Sequence, residues 1–226
     1  MRYETIQKGI FIDRPNRFIA HVDVDGEVET VHVKNTGRCR ELLQPGVEVW
    51  LDCPTSPKRK TKYDLVTVRK GDRLINMDSQ APNKVFAEFA RSGGFAEGLT
   101  LLKPEQRWGN SRFDFYAEAG KRKMLIEVKG VTLEEGGVVR FPDAPTERGA
   151  RHIHELIEAH KEGYECYIIF VVQMAQVSHL EPNDATDPAF AKVLREAEAA
   201  GVKVLAYDCH VTEDTLAIGG AVPVRL

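Results

Sequence analysis

Short stretches of alternating hydrophobic and polar residues dominate the first 80 positions of the chain. The segment GIFIDRPNRFIAHVDVDG alternates up to Asp25-Gly26, a dipeptide typical of tight hairpin turns, and EVETVHV continues with the same period of two. The segments VEVWLDC, YDLVTVRKG and DRLINMD complete a set of about five predicted strands. One short helix is predicted in this part, over RCRELL, between the turn residues NTG and Pro45-Gly46.

Five strands with a single short helix predict a small closed β-barrel for residues 1–80. The oligonucleotide-binding (OB) fold is one barrel of this size. An SH3-like barrel is the alternative, and the pattern alone leaves both open.

The pattern changes at the polar segment DSQAPN (residues 78–83), after which predicted helices alternate with apolar strands. Helical periodicity covers residues 84–91 and 146–162, and Asp187-Pro188 supplies the N-cap and first residue of a third helix. The apolar segments YECYIIFVVQ and VKVLAY are predicted as buried strands. This order predicts an α/β domain with parallel strands over residues 81–226, following the barrel.

Composition and charge are those of an ordinary globular protein, with 226 residues, 42% hydrophobic content and a formal net charge of −3. No apolar run approaches the roughly 18 residues of a transmembrane helix, and MRYETIQKGIFIDRPNR lacks the apolar block of a signal peptide. We therefore expect a cytoplasmic protein with no membrane partner. The cysteines are scattered without a CxxC pair, which favours reduced thiols over zinc or disulfides at Cys39, Cys53, Cys166 and Cys209.

Three charged residues interrupt otherwise apolar strands in SRFDFYAEAGKRKMLIEVKG, residues 111–130. Gly120-Lys121 suits the centre of a two-residue hairpin turn, because glycine readily adopts the positive φ of its first position. That register places Asp114 directly across from Glu127, with about 5 Å between the Cβ atoms, whereas a three- or five-residue loop would make them diagonal neighbours, still within reach of a shared ion. Lys129 lies two residues further along and points to the same face as Glu127.

Two carboxylates held together beside a lysine are unfavourable unless something neutralises them. A hard divalent cation does so, which makes Mg²⁺ or Mn²⁺ the predicted cofactor. The cation orients a phosphate and activates water, while the lysine positions that water or stabilises charge on the phosphoryl group. This is the layout of a D…ExK phosphodiesterase, with Asp114, Glu127 and Lys129 as catalytic residues. The alternative is a solvated hairpin face with a Lys–Glu salt bridge.

The segment FPDAPTERGARHIHELIEAH places cations at a predicted helix start. Arg148, Arg151 and His152 lie in the first turns, where free backbone N–H groups and the helix dipole favour an anion. Cations there oppose the dipole, so a phosphate partner is one explanation for them. An ordinary solvated helix face, with Glu147 and Glu155 pairing the arginines, is the other.

A basic loop is predicted in the first part of the chain, within CPTSPKRKTKYD. It holds Lys58, Arg59, Lys60 and Lys62, and Tyr63 follows as a side chain that could stack on a base. Because loops of small barrels often carry the ligand, these four cations are predicted to contact nucleic acid. A flexible solvated loop is the alternative.

Several segments, taken in order, resemble the bacterial and archaeal sugar fermentation stimulation protein A family. They are VKNTGRCRELLQPG, SRFDF, EVKGVTL, FPDAPTERGARH and DPAFAKVLREAEAAGVKVLAYDC, so the resemblance runs nearly end to end. It implies an N-terminal OB-like barrel followed by a restriction-endonuclease-like domain of the PD-(D/E)xK type. It also implies a DNA-binding protein linked to the regulation of maltose metabolism.

The resemblance assigns Asp114, Glu127 and Lys129 to the PD-(D/E)xK motif, although Phe113 stands where the name of the motif has proline. The first helix of such domains often supplies a further acidic metal ligand. Glu88 in NKVFAEFARS is the candidate for it, with Glu97 in second place.

Two functions fit these observations. One is a Mg²⁺-dependent nuclease, in which Arg148 and Arg151 grip a phosphate beside the metal site. The other is a non-catalytic DNA-binding regulator of sugar metabolism genes that retains the nuclease scaffold. Nucleic acid, with DNA as the first candidate, is the predicted partner in both. A sugar-binding module has little support, since Trp50 and Trp108 are too dispersed to form an aromatic platform.

Overall fold

A computed structural model describes residues 1–35, 37–55 and 59–226 of the chain. Within these ranges the protein is mixed α/β, mostly sheet, with three helices: α1 (Ala81–Arg91), α2 (Glu147–Lys161) and α3 (Pro188–Ala199). The strands are β1 (Ile6–Asn16), β2 (Ile19–Val24), β3 (Glu27–Val33), β4 (Glu48–Asp52), β5 (Asp64–Lys70), β6 (Arg73–Asn76), β7 (Leu99–Trp108), β8 (Ser111–Ala119), β9 (Arg122–Val131), β10 (Glu134–Glu135), β11 (Val138–Phe141), β12 (Glu165–Val172), β13 (His179–Pro182), β14 (Lys203–Val211) and β15 (Leu216–Val222).

The first six strands form one sheet in the order β3-β2-β1-β4-β5-β6. An additional parallel pairing joins β3 to β5, through His32 with Asp64 and Val33 with Leu65. This pairing closes five of the strands into a ring, β1-β2-β3-β5-β4, as a small closed barrel requires.

The predicted turn at Asp25-Gly26 is confirmed, with positive φ at both residues (55° and 88°) between β2 and β3. The alternating segment before it is two strands rather than one. A turn at Arg17-Phe18 separates β1 from β2, and the Asn16 side chain accepts the backbone N–H groups of Phe18 and Ile19 at 2.9 and 3.1 Å. The first part of the chain therefore has six strands.

The helix predicted over RCRELL was wrong, since residues 38–43 form only turns. Cys39 has a positive φ of 45°, a left-handed conformation that a continuing helix excludes. The preceding backbone is held by Arg14, whose guanidinium donates to the carbonyls of Gly37 and Arg38 at 3.0 and 2.9 Å. Tertiary hydrogen bonding overrides the local helical pattern.

The second large sheet has the order β15-β14-β12-β9-β8-β7, and its central strands β9, β12 and β14 are parallel, as predicted. Helix α1 packs on one face of this sheet, and α2 and α3 pack on the other. A small sheet of β10, β11 and β13 lies beside it. The candidate hairpin β8–β9 thus lies between two helical layers.

The predicted helix starts are confirmed for α2 and α3. The Thr146 side chain accepts the N–H of Gly149 at 3.1 Å, and the Asp187 side chain accepts the N–H of Phe190 at 2.9 Å. Helix α1 begins three residues earlier than predicted, with Pro82 in its first turn.

Five strands were not predicted, namely β7, β10, β11, β13 and β15. Strand β7 (LTLLKPEQRW) is mostly exposed and contains Pro104, which an edge strand tolerates because one side of its backbone needs no partner. Such strands lack the alternation of hydrophobic and polar residues from which strands were predicted.

A buried polar network joins the two large sheets. The Gln173 side chain donates to Asn76 Oδ1 at 2.9 Å and to the Asp78 carbonyl at 3.0 Å, while Tyr3 Oη donates to Asp78 Oδ2 at 3.2 Å. Lys34 Nζ lies 2.7 Å from the same Asp78 oxygen. The two large sheets have different strands and are not hydrogen-bonded into one sheet. The proposed domain boundary near residue 80 stays a prediction.

All four cysteines are free thiols. Among the described residues, none of the helices has the length and apolar character needed to cross a bilayer.

Candidate active site

The β8–β9 hairpin has the predicted register. Gly120 has a φ of 61° in a two-residue turn, and the paired residues run from Ala119 with Arg122 to Phe115 with Ile126. The next pair in this register is Asp114 with Glu127. The backbone ladder ends there because the Asp114 carboxylate, rather than a β8 carbonyl, accepts the next N–H of β9.

Both oxygens of the Asp114 carboxylate accept a hydrogen bond. Oδ2 accepts the backbone N–H of Val128 at 2.8 Å, and Oδ1 accepts Nδ2 of Asn83, near the start of α1, at 2.8 Å. Burial, followed by the negative charge of Glu127, raises the pKa of Asp114 above its usual value despite these hydrogen bonds. Asp114 is thus held in place but is costly to ionise when no cation is present.

The Glu127 side chain is almost fully buried, with the residue 3% exposed. Its Oε1 accepts hydrogen bonds from Lys129 Nζ at 2.5 Å and from His152 Nδ1 at 2.6 Å. Burial opposes the charge, but the hydrogen bond from His152 and the charge of Lys129 outweigh it and hold the pKa of Glu127 below its usual value. Glu127 therefore stays ionised at neutral pH.

The second oxygen, Glu127 Oε2, is buried and has no hydrogen-bond partner among the described residues. An ionised carboxylate oxygen left without a partner away from water is unfavourable, so it marks a place where another group belongs. A hard cation fits, since carboxylate oxygens are its preferred ligands.

The metal-binding capacity of the site rests on two carboxylates. Among the described residues there is no group of three or more His, Cys, Asp or Glu side chains placed to hold a metal ion. Mg²⁺ does not need such a group, because it is usually bound through one or two carboxylates together with water and substrate phosphates. The donor set of Asp114 and Glu127 therefore fits Mg²⁺ or Mn²⁺ and not a closed structural zinc site.

Helix α2 extends the site towards solvent. Buried His152 contacts Glu127, and Arg148 Nε lies 3.4 Å from His152 Nε2, one helical turn away. The structure thus places exposed Arg148 next to His152, which separates it from Glu127. Arg151 instead lines a separate open cavity of about 370 Å³ with His154, so the two arginines that were predicted to act together are separated.

The structure does not bring Glu88 to the carboxylate pair. Its Oε2 lies 2.6 Å from the N-terminal amine of Met1, which also donates to the carbonyl of Leu216 on β15, at the far edge of the sheet. Glu88 follows Asn83 by five residues, which corresponds to about 140° around the helix. Asn83, rather than Glu88, is the α1 side chain that reaches Asp114, and the assignment of Glu88 as a metal ligand is corrected accordingly.

The basic loop is only partly as predicted, and Lys58 lies outside the described residues. Arg59 pairs with buried Asp64, whereas Lys60 and Lys62 are exposed. Tyr63 is 5% exposed, with the Lys62 ammonium 4.6 Å from its ring centroid, so the expectation that Tyr63 stacks on a base was wrong.

Two residues of the site were not predicted for the roles they have. His152 was grouped with the arginines as a phosphate contact, although its spacing of four from Arg148 put it on the same helix face. Asn83 was assigned to the boundary segment before α1. Its position depends on how α1 packs against the sheet, which no local pattern encodes.

Comparison with known families identifies the chain. The model of the SfsA N-terminal OB domain matches residues 12–77, and the model of the sugar fermentation stimulation protein RE domain matches residues 80–215. The chain belongs to the sugar fermentation stimulation protein (SfsA) family. The OB match agrees with the closed strand ring and decides against the SH3-like alternative.

Relatives in this family match along the whole chain. The sugar fermentation stimulation protein homolog of Desulfitobacterium hafniense is 58% identical over 226 residues, covering 100% of this chain and 99% of the homolog. The Clostridium beijerinckii homolog is 54% identical over 226 residues, covering 100% of both. The solved structure of Pyrococcus furiosus SfsA in complex with Ca²⁺ superposes with a TM-score of 0.90 at 30% identity, covering 100% of this chain and 98% of the other.

Proposed function

We propose that the chain is a Mg²⁺- or Mn²⁺-dependent phosphodiesterase of the PD-(D/E)xK type that acts on nucleic acid, with DNA as the first candidate. The observation that carries the proposal is the hairpin register that sets Asp114 across from Glu127, whose Oε2 is buried without a hydrogen-bond partner among the described residues while Lys129 Nζ donates to Oε1. A non-catalytic regulator has no need for this arrangement, so the catalytic proposal is favoured over the regulatory one.

The Pyrococcus furiosus relative supports the metal part of the proposal, because it was solved in complex with Ca²⁺. Ca²⁺ is a hard cation that takes oxygen ligands, as Mg²⁺ and Mn²⁺ do. We propose that Asp114 and Glu127 hold the ion here, and that Glu127 Oε2 is one of its ligands.

When bound, the ion would polarise the scissile phosphate and lower the pKa of a water molecule. Asp114 and Glu127 supply the negative charge that holds it. Lys129, whose ammonium lies against Glu127, is placed to orient the attacking water and to stabilise negative charge as it develops on the phosphoryl oxygens. Arg148 offers an exposed guanidinium for a neighbouring phosphate.

His152 acts through Glu127 rather than on the substrate. Its Nδ1–H donates to Oε1, which leaves Oε2 as the oxygen free to accept a ligand. His152 therefore orients a metal-binding carboxylate in the way that outer hydrogen bonds orient metal ligands generally.

The OB half is proposed to hold the nucleic acid, with residues 1–80 as the binding domain and residues 81–226 as the nuclease-like domain. The β4–β5 connection, which contains Arg59, Lys60 and Lys62, is one of the loops that OB folds use for oligonucleotides. Contact of this loop with nucleic acid stays a prediction.

Incubation with single- and double-stranded DNA and RNA, with Mg²⁺, Mn²⁺ or EDTA, tests the proposed function. Cleavage of at least one substrate is expected with either metal and none with EDTA. A Lys129→Ala protein purified in parallel controls for contaminating nucleases. Absence of metal-dependent cleavage of all four substrates would contradict the proposal.

Asp114→Asn is expected to stabilise the metal-free protein more at pH 7 than at pH 4. The pKa of Asp114 is raised in the folded state, so the folded protein binds this proton more tightly than the unfolded chain. The wild type therefore loses stability as the pH rises from the usual pKa of a carboxyl group through the raised pKa of Asp114. The variant has no titrating proton at this position, so its stability does not fall for this reason. Asn83 can present its amide oxygen to the new amide, which preserves the packing.

Urea unfolding of both proteins in EDTA at the two pH values measures this difference. Asp72→Asn, which changes an exposed carboxylate on the β5–β6 turn, is the matched control and should show no such trend. A stability difference between Asp114→Asn and wild type that does not grow with pH would contradict the expected repulsion.

A further inference from the structure

An open groove on the OB half lies between the β1–β2 turn and the β3–β4 connection. It encloses about 460 Å³ and is lined by Arg14, Arg17, Arg38 and Arg40, together with Asp13 and apolar side chains. The arginine groove, defined by these four arginines, is separate from the carboxylate pair and from the basic loop.

The arginine groove carries a positive charge that the protein itself does not neutralise. Among the described residues none of the four arginines forms an ion pair with a carboxylate, and no residue outside those ranges is acidic. The lining carboxylate, Asp13, lies 2.7 Å from His21 Nδ1, so the groove holds four arginines and one carboxylate. Elsewhere on the surface, Arg195 and Asp184 pair at 2.7 Å, as a mixed-charge solvated surface does.

Arg14 has a structural role in this groove. Its guanidinium donates to four backbone carbonyls, those of Arg17, Asn35, Gly37 and Arg38, at 2.7 to 3.0 Å. It therefore fixes the two loops relative to each other and adds charge. Three exposed guanidiniums remain for a ligand, and they project from a backbone that is already ordered.

An aromatic side chain lies next to Arg17, one of the residues that line the arginine groove. Phe18, at the tip of the β1–β2 turn, is 48% exposed, and the Arg17 guanidinium lies 5.3 Å from its ring centroid. An exposed phenylalanine beside unpaired arginines suits a base stacked on the ring and a phosphate bound by the arginines. Duplex DNA offers no free base face, so the pairing favours a single strand.

The arginine groove is connected to the proposed active site. The backbone N–H of Arg38 donates to Asp143 Oδ2 at 3.0 Å. Asp143 precedes Arg148 by five residues, a span of at most about 17 Å along the chain. One side of the groove is therefore hydrogen-bonded to the segment that leads into α2, the helix that carries Arg148.

We infer that the arginine groove binds a single-stranded polynucleotide, with Arg17, Arg38 and Arg40 on phosphates and Phe18 stacked on a base. The inference deepens the proposed function, on which it rests for the choice of nucleic acid as ligand. It names the substrate form and the surface that holds it. Binding is independent of cleavage, so the two can fail separately.

Fluorescence anisotropy in EDTA tests the inference, with a labelled single-stranded oligonucleotide of about 16 nucleotides, the upper end of what one OB fold covers. The triple variant Arg17→Ala/Arg38→Ala/Arg40→Ala should weaken binding at least tenfold at physiological salt. It should also flatten the salt dependence of log K by up to about two units, since each phosphate contact on a single strand contributes about 0.7. Arg14 is left intact because it holds the loops.

Phe18→Ala should weaken single-strand binding at least about fivefold without changing the salt slope, because stacking involves no counterion release. The matched control removes the same net charge elsewhere, at exposed Arg91, Lys121 and Lys123, and should bind nearly as wild type. Melting curves establish that each variant is folded.

Three results would overturn the inference. Equal losses of affinity in the triple variant and in the charge control would show that binding depends only on the net charge of the protein. The groove variants could instead bind the oligonucleotide with wild-type affinity while Arg59→Ala/Lys60→Ala/Lys62→Ala binds it more weakly. That result would place the bound strand on the β4–β5 loop. Competition by polyglutamate as effective as that by the oligonucleotide would reassign the groove to acidic protein segments. Asp114→Asn should bind the oligonucleotide in EDTA as wild type does, whether or not the wild type cleaves it, so failure of the proposed catalysis and failure of the groove are distinguishable.

Discussion

Lys129→Ala is expected to reduce the rate of metal-dependent cleavage by about 10²- to 10³-fold, the usual cost of removing one group that stabilises charge in a transition state. The Lys129 ammonium is held against Glu127 on the strand that carries the proposed metal ligand. Its loss removes a charge that acts mainly when the phosphoryl oxygens become more negative. The effect should therefore appear in kcat, with little change in KM.

Lys123→Ala is the matched control, since Lys123 is exposed on the same strand. It should cleave as wild type. Because Lys129 also neutralises buried Glu127, the melting temperature of Lys129→Ala must be measured, and the assay run well below it. A folded Lys129→Ala protein with wild-type kcat would show that the ammonium takes no part in the chemistry.

Lys34→Met is expected to destabilise the protein by about 3 kcal/mol, the lower end of the range for removing one partner of a buried ion pair. Asp78 is fully buried, and Lys34 Nζ lies 2.7 Å from its Oδ2. Methionine keeps the length of the side chain but leaves the carboxylate, among the described residues, with hydrogen bonds only from Tyr3 and Gln80. For a chain of this size the loss corresponds to a fall of about 6 to 12 °C in melting temperature.

Lys161→Met makes the same substitution in an exposed pair of the same length, since Lys161 Nζ and Glu158 Oε1 are also 2.7 Å apart. It should cost no more than about 0.5 kcal/mol, as surface helix pairs do. Urea unfolding of the two variants gives the comparison. Similar losses in both would show that the network around Asp78 does not hold the two sheets together.

The hairpin of the candidate site was predictable because its geometry is local. Gly120 identifies a two-residue turn, the turn determines the register, and the register places Asp114 across from Glu127. The N-caps Thr146 and Asp187 were predictable for the same reason, since each bonds to a backbone N–H three residues away. Turn and cap chemistry depend on neighbours in the chain.

The remaining features depend on tertiary packing. Glu88 was predicted because an acidic ligand was expected from α1, but the approach of α1 to the sheet decides which side chain reaches Asp114. That approach requires Gly130, because a Cβ there would lie 2.7 Å from Pro82 Cγ and 2.6 Å from Gln173 Oε1. Contacts between residues so far apart in the chain leave no periodic signal.

The proposed nucleic-acid surface also depends on tertiary packing. The run around Arg59 and Lys60 is conspicuous in the sequence, yet the Arg59 charge is partly used by buried Asp64. The arginine groove is assembled from two loops more than 15 residues apart in the chain, with Arg14 binding both. Its charge becomes concentrated only after the strand ring closes.

Melting curves of wild type and Asp114→Asn, each with Mn²⁺ or with EDTA, measure whether the carboxylate pair binds a divalent ion. We propose that Asp114 and Glu127 hold a divalent ion in the folded protein and not in the unfolded chain. Saturation to ten times the dissociation constant should then add about 1.4 kcal/mol, or about 3 to 6 °C, to the wild type, and Asp114→Asn should lose most of that rise. A wild type indifferent to millimolar Mg²⁺ and Mn²⁺, or an equal rise in the variant, would contradict the account.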